Sequence, residues 1–75
     1  MGNGRIFNLT GSQGTGNVDL TEGETLAELF KRKEIVIHDQ FEVKVNANKV
    51  DQKQFDNFVV PENAQITITK KSKGN

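Results

Sequence analysis

One segment of the chain has helical periodicity, and it lies between segments whose apolar residues alternate. Thr25 is a favourable helix N-cap, and Glu28 three residues later completes a capping box. Leu26, Leu29 and Phe30 then recur at helical spacing and form a single apolar stripe. Because a one-sided helix must bury its stripe against another layer, this segment predicts one helix packed on a sheet.

The helix is expected to end in the basic run at residues 31–33, where cations interact favourably with the helix dipole. The apolar residues that follow, Ile35, Val36 and Ile37, are predicted to close the core behind the helix. The clearest alternating strand runs from residue 41 to residue 47, with apolar residues on one side and polar residues on the other.

The other predicted strands lie near the two ends of the chain. Residues 5–10 alternate with Phe7 and Leu9 on one face, residues 17–20 alternate again, and the glycine-rich stretch 11–16 between them is typical of a hairpin turn. After a turn at 46–48, a short strand and an irregular connection at 51–60, a turn leads into a last strand at 65–70. In that turn Asn63 can take the left-handed conformation. The predicted organisation is a disordered N-terminus at 1–4, one α+β domain at 5–70 and a disordered basic tail at 71–75.

Size and composition favour a small interaction module over an enzyme. A chain of 75 residues buries only about 60% of its unfolded surface, which leaves little room for a supported catalytic cleft. The chain has no cysteine, and we find no signal peptide and no apolar run long enough for a transmembrane helix. We therefore expect a cytoplasmic protein that does not act at a membrane.

The charge is balanced but unevenly distributed. Ten basic and ten acidic residues give a net charge of zero, yet Lys70, Lys71 and Lys73 place three positive charges among the last six residues. The first 69 residues therefore carry seven positive and ten negative charges, a net of −3. Nucleic-acid binders usually have a basic body or stripe, so this distribution argues against a nucleic-acid partner.

No motif in the sequence predicts a catalytic, cofactor-binding or metal-binding site. The glycine-rich stretch 11–16 has no lysine and leads into a predicted strand, whereas a phosphate-binding loop needs Gly-Lys-Ser/Thr entering a helix. His38 is the only histidine, and Asp39 beside it has poor geometry for chelating one ion. No hydroxyl, histidine and carboxylate arrangement indicates a nucleophilic triad.

Three stretches resemble the ThiS/MoaD sulfur carriers, which have the ubiquitin-like β-grasp fold. They are residues 18–30 (VDLTEGETLAELF), residues 41–50 (FEVKVNANKV) and residues 59–68 (VVPENAQITI). Their order and spacing resemble the strand-to-helix segment, the hairpin and the last turn and strand of that family. The resemblance implies a β-grasp domain with a mixed sheet of four or five strands and one packed helix.

The sequence departs from the family in two turns and at the tail. Glycine is usual in the family where Ala47 or Asn48 stands, and Gly-Asp is usual where Asn63 and Ala64 stand. Working carriers end in Gly-Gly, whose terminal carboxylate is adenylated and converted to a thiocarboxylate. Here the sequence ends Lys-Gly-Asn, so trimming to Gly74 would still leave Lys73 before the new terminus.

The candidate interaction residues lie on three surfaces. The exposed sheet face is predicted to be mostly polar and to carry Ile6, Asn8, Glu42, Lys44, Asn46, Thr67 and Thr69. Phe55, beside Phe58 in the irregular connection, is a candidate exposed anchor. The basic tail, with Lys70, Lys71 and Lys73, is the third surface.

These features give three functional hypotheses. The first is a non-catalytic, protein-binding β-grasp module that mimics or competes with a sulfur carrier at the carrier's enzyme. The second is a sulfur carrier or protein modifier activated after trimming to Gly74. The third is an RNA-contacting module similar to TGS domains, which would bind with strong salt dependence. None of them requires a cofactor, and the sequence leaves the oligomeric state open.

Overall fold

A computed structural model describes residues 2–10 and 15–71. Its elements, in chain order, are β1 (Gly2–Asn8), β2 (Gly16–Leu20), α1 (Leu26–Arg32), β3 (Phe41–Val45), β4 (Asn48–Val50), a 3₁₀ turn (Gln52–Gln54) and β5 (Gln65–Lys70).

The strands form one five-stranded mixed sheet in the order β2-β1-β5-β3-β4. β1 and β5 pair in parallel at the centre, and antiparallel hairpins extend the sheet on both sides. The helix α1 covers one face of this sheet, and the core lies between the two layers. The predicted α+β class with one packed helix is therefore confirmed.

The helix forms as its sequence predicts. The Thr25 side chain accepts a hydrogen bond from the Glu28 N–H, and the Glu28 carboxylate accepts one from the Thr25 N–H, which completes the capping box. The apolar stripe of Leu26, Leu29 and Phe30 is buried against the sheet. Beyond the helix Ile35 is buried and Ile37 half-buried, but Val36 is 68% exposed. The prediction that Val36 closes the core is wrong.

The ends of the domain extend further than the sequence predicts. Residues 2–4 are not disordered, because they form the first part of β1 and pair with residues 18–20 of β2. At the other end Lys71 is also held, since its N–H donates to the Gln40 carbonyl at 2.7 Å. The rest of the predicted tail, residues 72–75, lies outside the described residues, as do residues 11–14 of the glycine-rich stretch.

β1 faces the opposite way from the prediction. Ile6 is 1% exposed and Asn8 is 7% exposed, so both lie on the core face rather than on the exposed face. Phe7 is only half-buried and Leu9 is 67% exposed, so these two side chains point away from the helix. Side chains alternate along a strand, and a one-residue error in facing therefore moves every side chain to the other face.

Close packing at Gly4 explains this facing. Gly4 lies on the core side of β1 between Leu20 and Ala64. A Cβ atom added there would lie 2.9 Å from the Leu20 Cδ1 and 2.9 Å from the Ala64 carbonyl oxygen. Only glycine fits at a position that has room for no more than a hydrogen atom. The even-numbered residues of β1 therefore face the core, with Ile6 among them.

The hairpin between β3 and β4 turns through two residues with left-handed backbones. Asn46 has φ 53° and Ala47 has φ 71°, as a type I′ turn requires. Asn46 is further fixed to β5, since its N–H donates to the Gln65 carbonyl at 2.9 Å and its Oδ1 accepts from the Gln65 N–H at 3.0 Å. Asn46 is thus a turn residue that caps β5, and its predicted place on the sheet face is wrong.

Substituting Gly4 with alanine tests the facing of β1. We expect Gly4→Ala to lower the free energy of unfolding by about 1–3 kcal/mol, because the added methyl group overpacks the core against backbone. Asn3→Ala, at the exposed neighbouring position, should change it by less than about 0.5 kcal/mol. Urea unfolding followed by far-ultraviolet circular dichroism measures both, and equal effects would contradict the inward packing of the even-numbered residues.

Substituting Ala47 with glycine tests the turn. A left-handed alanine costs about 1–2 kcal/mol, and the greater unfolded-state freedom of glycine offsets about 0.4–1 kcal/mol of that. We therefore expect Ala47→Gly to raise the midpoint of thermal unfolding. Ala27→Gly, the same change inside α1, should lower the stability by about 1 kcal/mol. A loss of stability in both variants would rule out the left-handed conformation at residue 47.

Candidate interaction site

The sheet face opposite α1 is not covered by any other described residue range and is the candidate site. We call it the outer face. It consists of Leu9, directly after β1, and of the residues whose side chains alternate away from the core on the five strands: Asn3, Arg5, Phe7, Asn17, Asp19, Glu42, Lys44, Lys49, Gln65, Thr67 and Thr69.

Strand pairing fixes how these side chains are arranged. Phe7 pairs with Thr67, Thr67 with Lys44, and Lys44 with Lys49, so one row of side chains crosses four strands. The row begins with an aromatic ring on β1 and ends with two lysines on β3 and β4. The outer face therefore changes from apolar to cationic across the sheet.

Phe7 and Leu9 form the apolar part of the outer face. The β1–β5 ladder continues through Leu9, whose N–H donates to the Ile68 carbonyl at 2.8 Å, so both residues stand on backbone that is fixed by hydrogen bonds. The Arg5 guanidinium lies 5.9 Å from the centroid of the Phe7 ring, within the range of a cation–π contact. Arg5 is held on its other side, because its Nε donates to the Asn17 Oδ1 at 3.1 Å.

Glu42, Lys44 and Lys49 form the charged part. The Glu42 carboxylate lies 3.7 Å from the Lys44 Nζ and 3.9 Å from the Lys49 Nζ. Its side chain is 22% exposed, whereas the Lys44 and Lys49 side chains are 47% and 65% exposed. One carboxylate shared between two more exposed ammonium groups leaves a net positive charge that faces solvent.

The residues that the sequence predicts to contact a partner do not lie together on one surface of the structure. Lys44 lies on the outer face as predicted, but Ile6 is buried in the core and is not available to a partner. Lys70 and Lys71 are exposed at the end of β5, and Lys71 lines a hollow of about 360 Å³ together with Glu42 and Lys49. The remaining two, Lys73 and Gly74, lie outside the described residues.

Phe55 is only partly available as an anchor. Its ring makes an edge-to-face contact with the buried Phe30, with centroids 5.5 Å apart. Phe55 and Phe58 are both half-buried, and both pack against the core cluster. The prediction of an exposed anchor beside a core residue is therefore not met, because both rings are half-buried against the core.

The apolar part of the outer face was missed from the sequence. Both alternating sets of β1 contain apolar residues, so hydrophobic alternation alone favours Phe7 and Leu9 as the inward pair. The available signal was Gly4, because a glycine two positions before Ile6 indicates the side on which the strand approaches its neighbours closely. Asn8 gives no such signal, although its Oδ1 accepts from the Thr10 N–H and hydroxyl at the end of the strand.

The edge of the sheet beside the outer face is partly closed by an ion pair. Arg32, the last residue of α1, donates from Nη2 to the Asp19 carbonyl of the edge strand β2 at 2.6 Å. The Glu24 carboxylate holds this guanidinium through two hydrogen bonds of 2.9 Å. A backbone acceptor that would otherwise recruit another strand is therefore occupied, which favours docking on the face over docking at this edge.

Neither a metal site nor a membrane span is found in the described ranges. The His, Asp and Glu side chains of residues 2–10 and 15–71 form no group of three or more that could hold a metal ion. His38 instead packs edge-to-face on Phe41, with centroids 5.0 Å apart. The described helix is too short and too polar to cross a membrane.

No family model matches this sequence, and no curated protein matches it either. The outer face, with its apolar and cationic parts, is therefore the basis for functional inference.

The ion pair at the β2 edge predicts a pH-dependent difference in stability. The hydrogen bonds from Arg32 hold the pKa of Glu24 below its ordinary value. A carboxyl group whose pKa is lower in the folded than in the unfolded state stabilises the fold at any pH above its unfolded-state pKa. This stabilisation is lost as the pH falls through the pKa of the group in the folded state. We expect Glu24→Gln to cost about 1 kcal/mol at pH 7 and progressively less as the pH is lowered below about 4.

Urea unfolding of the wild type and Glu24→Gln at pH 7, 5, 4 and 3 measures this difference. Glu22→Gln, at an exposed position two residues away, is the matched control and should cost less than about 0.5 kcal/mol at pH 7. A Glu24→Gln penalty that persists unchanged at pH 3 would show that the carboxylate charge is not what stabilises this edge.

Proposed function

We propose that this chain is a non-catalytic interaction module with a β-grasp fold, and that it binds a protein through the outer face. Two features support the fold assignment. A hairpin is followed by a helix, a second hairpin and a last strand, and the last strand lies in parallel beside the first. The three stretches that resemble the ThiS/MoaD carriers also fall on β2 and α1, on the β3–β4 hairpin and on the turn into β5.

The exposure of Phe7 and Leu9 on a rigid sheet is the observation that carries the proposal. Leu9 is 67% exposed, and the half-buried Phe7 ring lies beside it on the same face. Aromatic and aliphatic side chains that stand on fixed backbone lose little conformational freedom on binding, so they are effective anchors for a protein partner.

The partner class proposed from the resemblance is an enzyme that activates or accepts sulfur from carrier proteins. A module with the carrier's fold would occupy the carrier's docking surface without transferring sulfur. Mimicry of this kind requires that the outer face make the contact and that binding not depend on a reactive C-terminus.

A competition experiment tests this function. A fluorescently labelled ThiS/MoaD-type carrier is bound to its activating enzyme, and the unlabelled chain is added while anisotropy is recorded. We expect displacement by the wild type and at least tenfold weaker displacement by the double variant Phe7→Ser/Leu9→Ser. The control Val36→Ser/Val59→Ser removes two exposed valines that do not lie on the outer face.

The control should displace the carrier as well as the wild type does. Failure of the wild type to displace any carrier would end the mimicry proposal. Equal displacement by both double variants would place the contact somewhere other than the outer face.

A further inference from the structure

We propose that the partner of the outer face presents an acidic segment, with an apolar side chain for the Phe7–Leu9 part and carboxylates for the Lys44–Lys49 part. This inference rests on the proposed function and specifies the chemistry of the partner. It follows from the change of character along one row of paired side chains.

The apolar part of the surface is shaped for a side chain rather than for a flat ring. Arg5 already lies over the Phe7 ring and is fixed by Asn17, so one face of the ring is occupied. What remains accessible is the ring edge beside the exposed Leu9, with the half-buried Thr67 and Thr69 on the adjacent strand. An aliphatic side chain that packs against these groups is desolvated without displacing the guanidinium.

The charged part of the surface selects acidic groups. Glu42 lies within 4 Å of both Lys44 and Lys49, but one negative charge cannot balance two positive ones. The adjoining hollow adds no net charge, since three carboxylates and three ammonium groups line it: Asp39, Glu42, Asp51, Lys49, Lys53 and Lys71. The excess positive charge therefore lies at Lys44 and Lys49. A carboxylate that docks here gains charge-assisted hydrogen bonds from flexible, exposed lysines.

Strand spacing sets the distance between the two parts. Adjacent strands are about 4.8 Å apart, so Lys44 and Lys49 lie about 10 and 14 Å from Phe7 along the row. An extended chain advances about 3.3 Å per residue. The acidic residues of the partner should therefore stand about three to four positions from the apolar anchor.

Single-stranded nucleic acid fits this surface less well than an acidic segment. Base stacking needs an open aromatic face, and among the described residues of the outer face the single aromatic ring is Phe7, which Arg5 covers.

Selection from a random dodecapeptide library displayed on phage identifies the preferred chemistry. The library is selected in parallel on the wild type, on Phe7→Ser/Leu9→Ser and on Lys44→Gln/Lys49→Gln. Lys31→Gln/Lys33→Gln makes the same charge change on the helix layer and serves as the control. Circular dichroism verifies that each variant is folded, and the affinity of the best peptide is then measured with each protein.

On the wild type we expect peptides with an apolar residue three to four positions from two or more acidic residues. Their affinity should fall at least tenfold with Phe7→Ser/Leu9→Ser and at least tenfold with Lys44→Gln/Lys49→Gln, and should change less than twofold with the control. The affinity should also weaken as salt is raised from 50 to about 500 mM, since the lysines are exposed.

The contrary outcomes are distinct. Peptides without acidic enrichment that lose affinity only with Phe7→Ser/Leu9→Ser would overturn the acidic partner and leave the interaction module intact. Enrichment that is the same on all four proteins, or none on the wild type, would overturn the outer face as a site. Tighter binding of an oligothymidylate probe than of any peptide would replace the acidic segment with nucleic acid.

Discussion

The parallel pairing of β1 with β5 is the contact on which the rest of the structure depends. Because β5 also pairs with β3, the β1–β5 pairing joins the β1–β2 hairpin to the β3–β4 hairpin, and the described residues of the two hairpins share no other strand contact. Ile6, Ile66 and Ile68 lie at this junction and are each at most 1% exposed, directly beneath α1. If β1 and β5 separated, the helix would lose the surface against which Leu26 and Leu29 pack, and the outer face would divide between two hairpins.

The elements that follow from local chemistry could be predicted from the sequence, and those that depend on long-range pairing could not. The capping box at Thr25, the last strand at residues 65–70 and the left-handed Asn63 all agree with expectation, because each is determined by a few neighbouring residues. The facing of β1 depends on Leu20 and Ala64, which the sequence does not reveal as neighbours of Gly4. On the outer face, the positions of Glu42, Lys44, Thr67 and Thr69 were predicted correctly, and the apolar pair was assigned to the core.

The outer face and the sheet edges have different capacities for binding. At the β2 edge, Arg32 occupies the Asp19 carbonyl, and Glu24 keeps the guanidinium in place. β4 at the opposite edge has only three residues, too few for extensive pairing with another strand. The two edges therefore offer little backbone for strand addition, whereas the outer face offers exposed side chains.

The separation of β1 and β5 along the chain also affects how the protein reaches its folded state during synthesis. Arg5 pairs with Gln65, 60 positions later, so β1 leaves the ribosome long before its central partner exists. Until then the growing chain can form the β1–β2 hairpin and the helix but not the sheet that covers Ile6. The edge of β1 that later pairs with β5 has no partner during that interval. The slow, non-local step of folding, the pairing of β1 with β5, comes last. The nascent chain consequently exposes a strand edge that the finished protein places at the centre of its sheet.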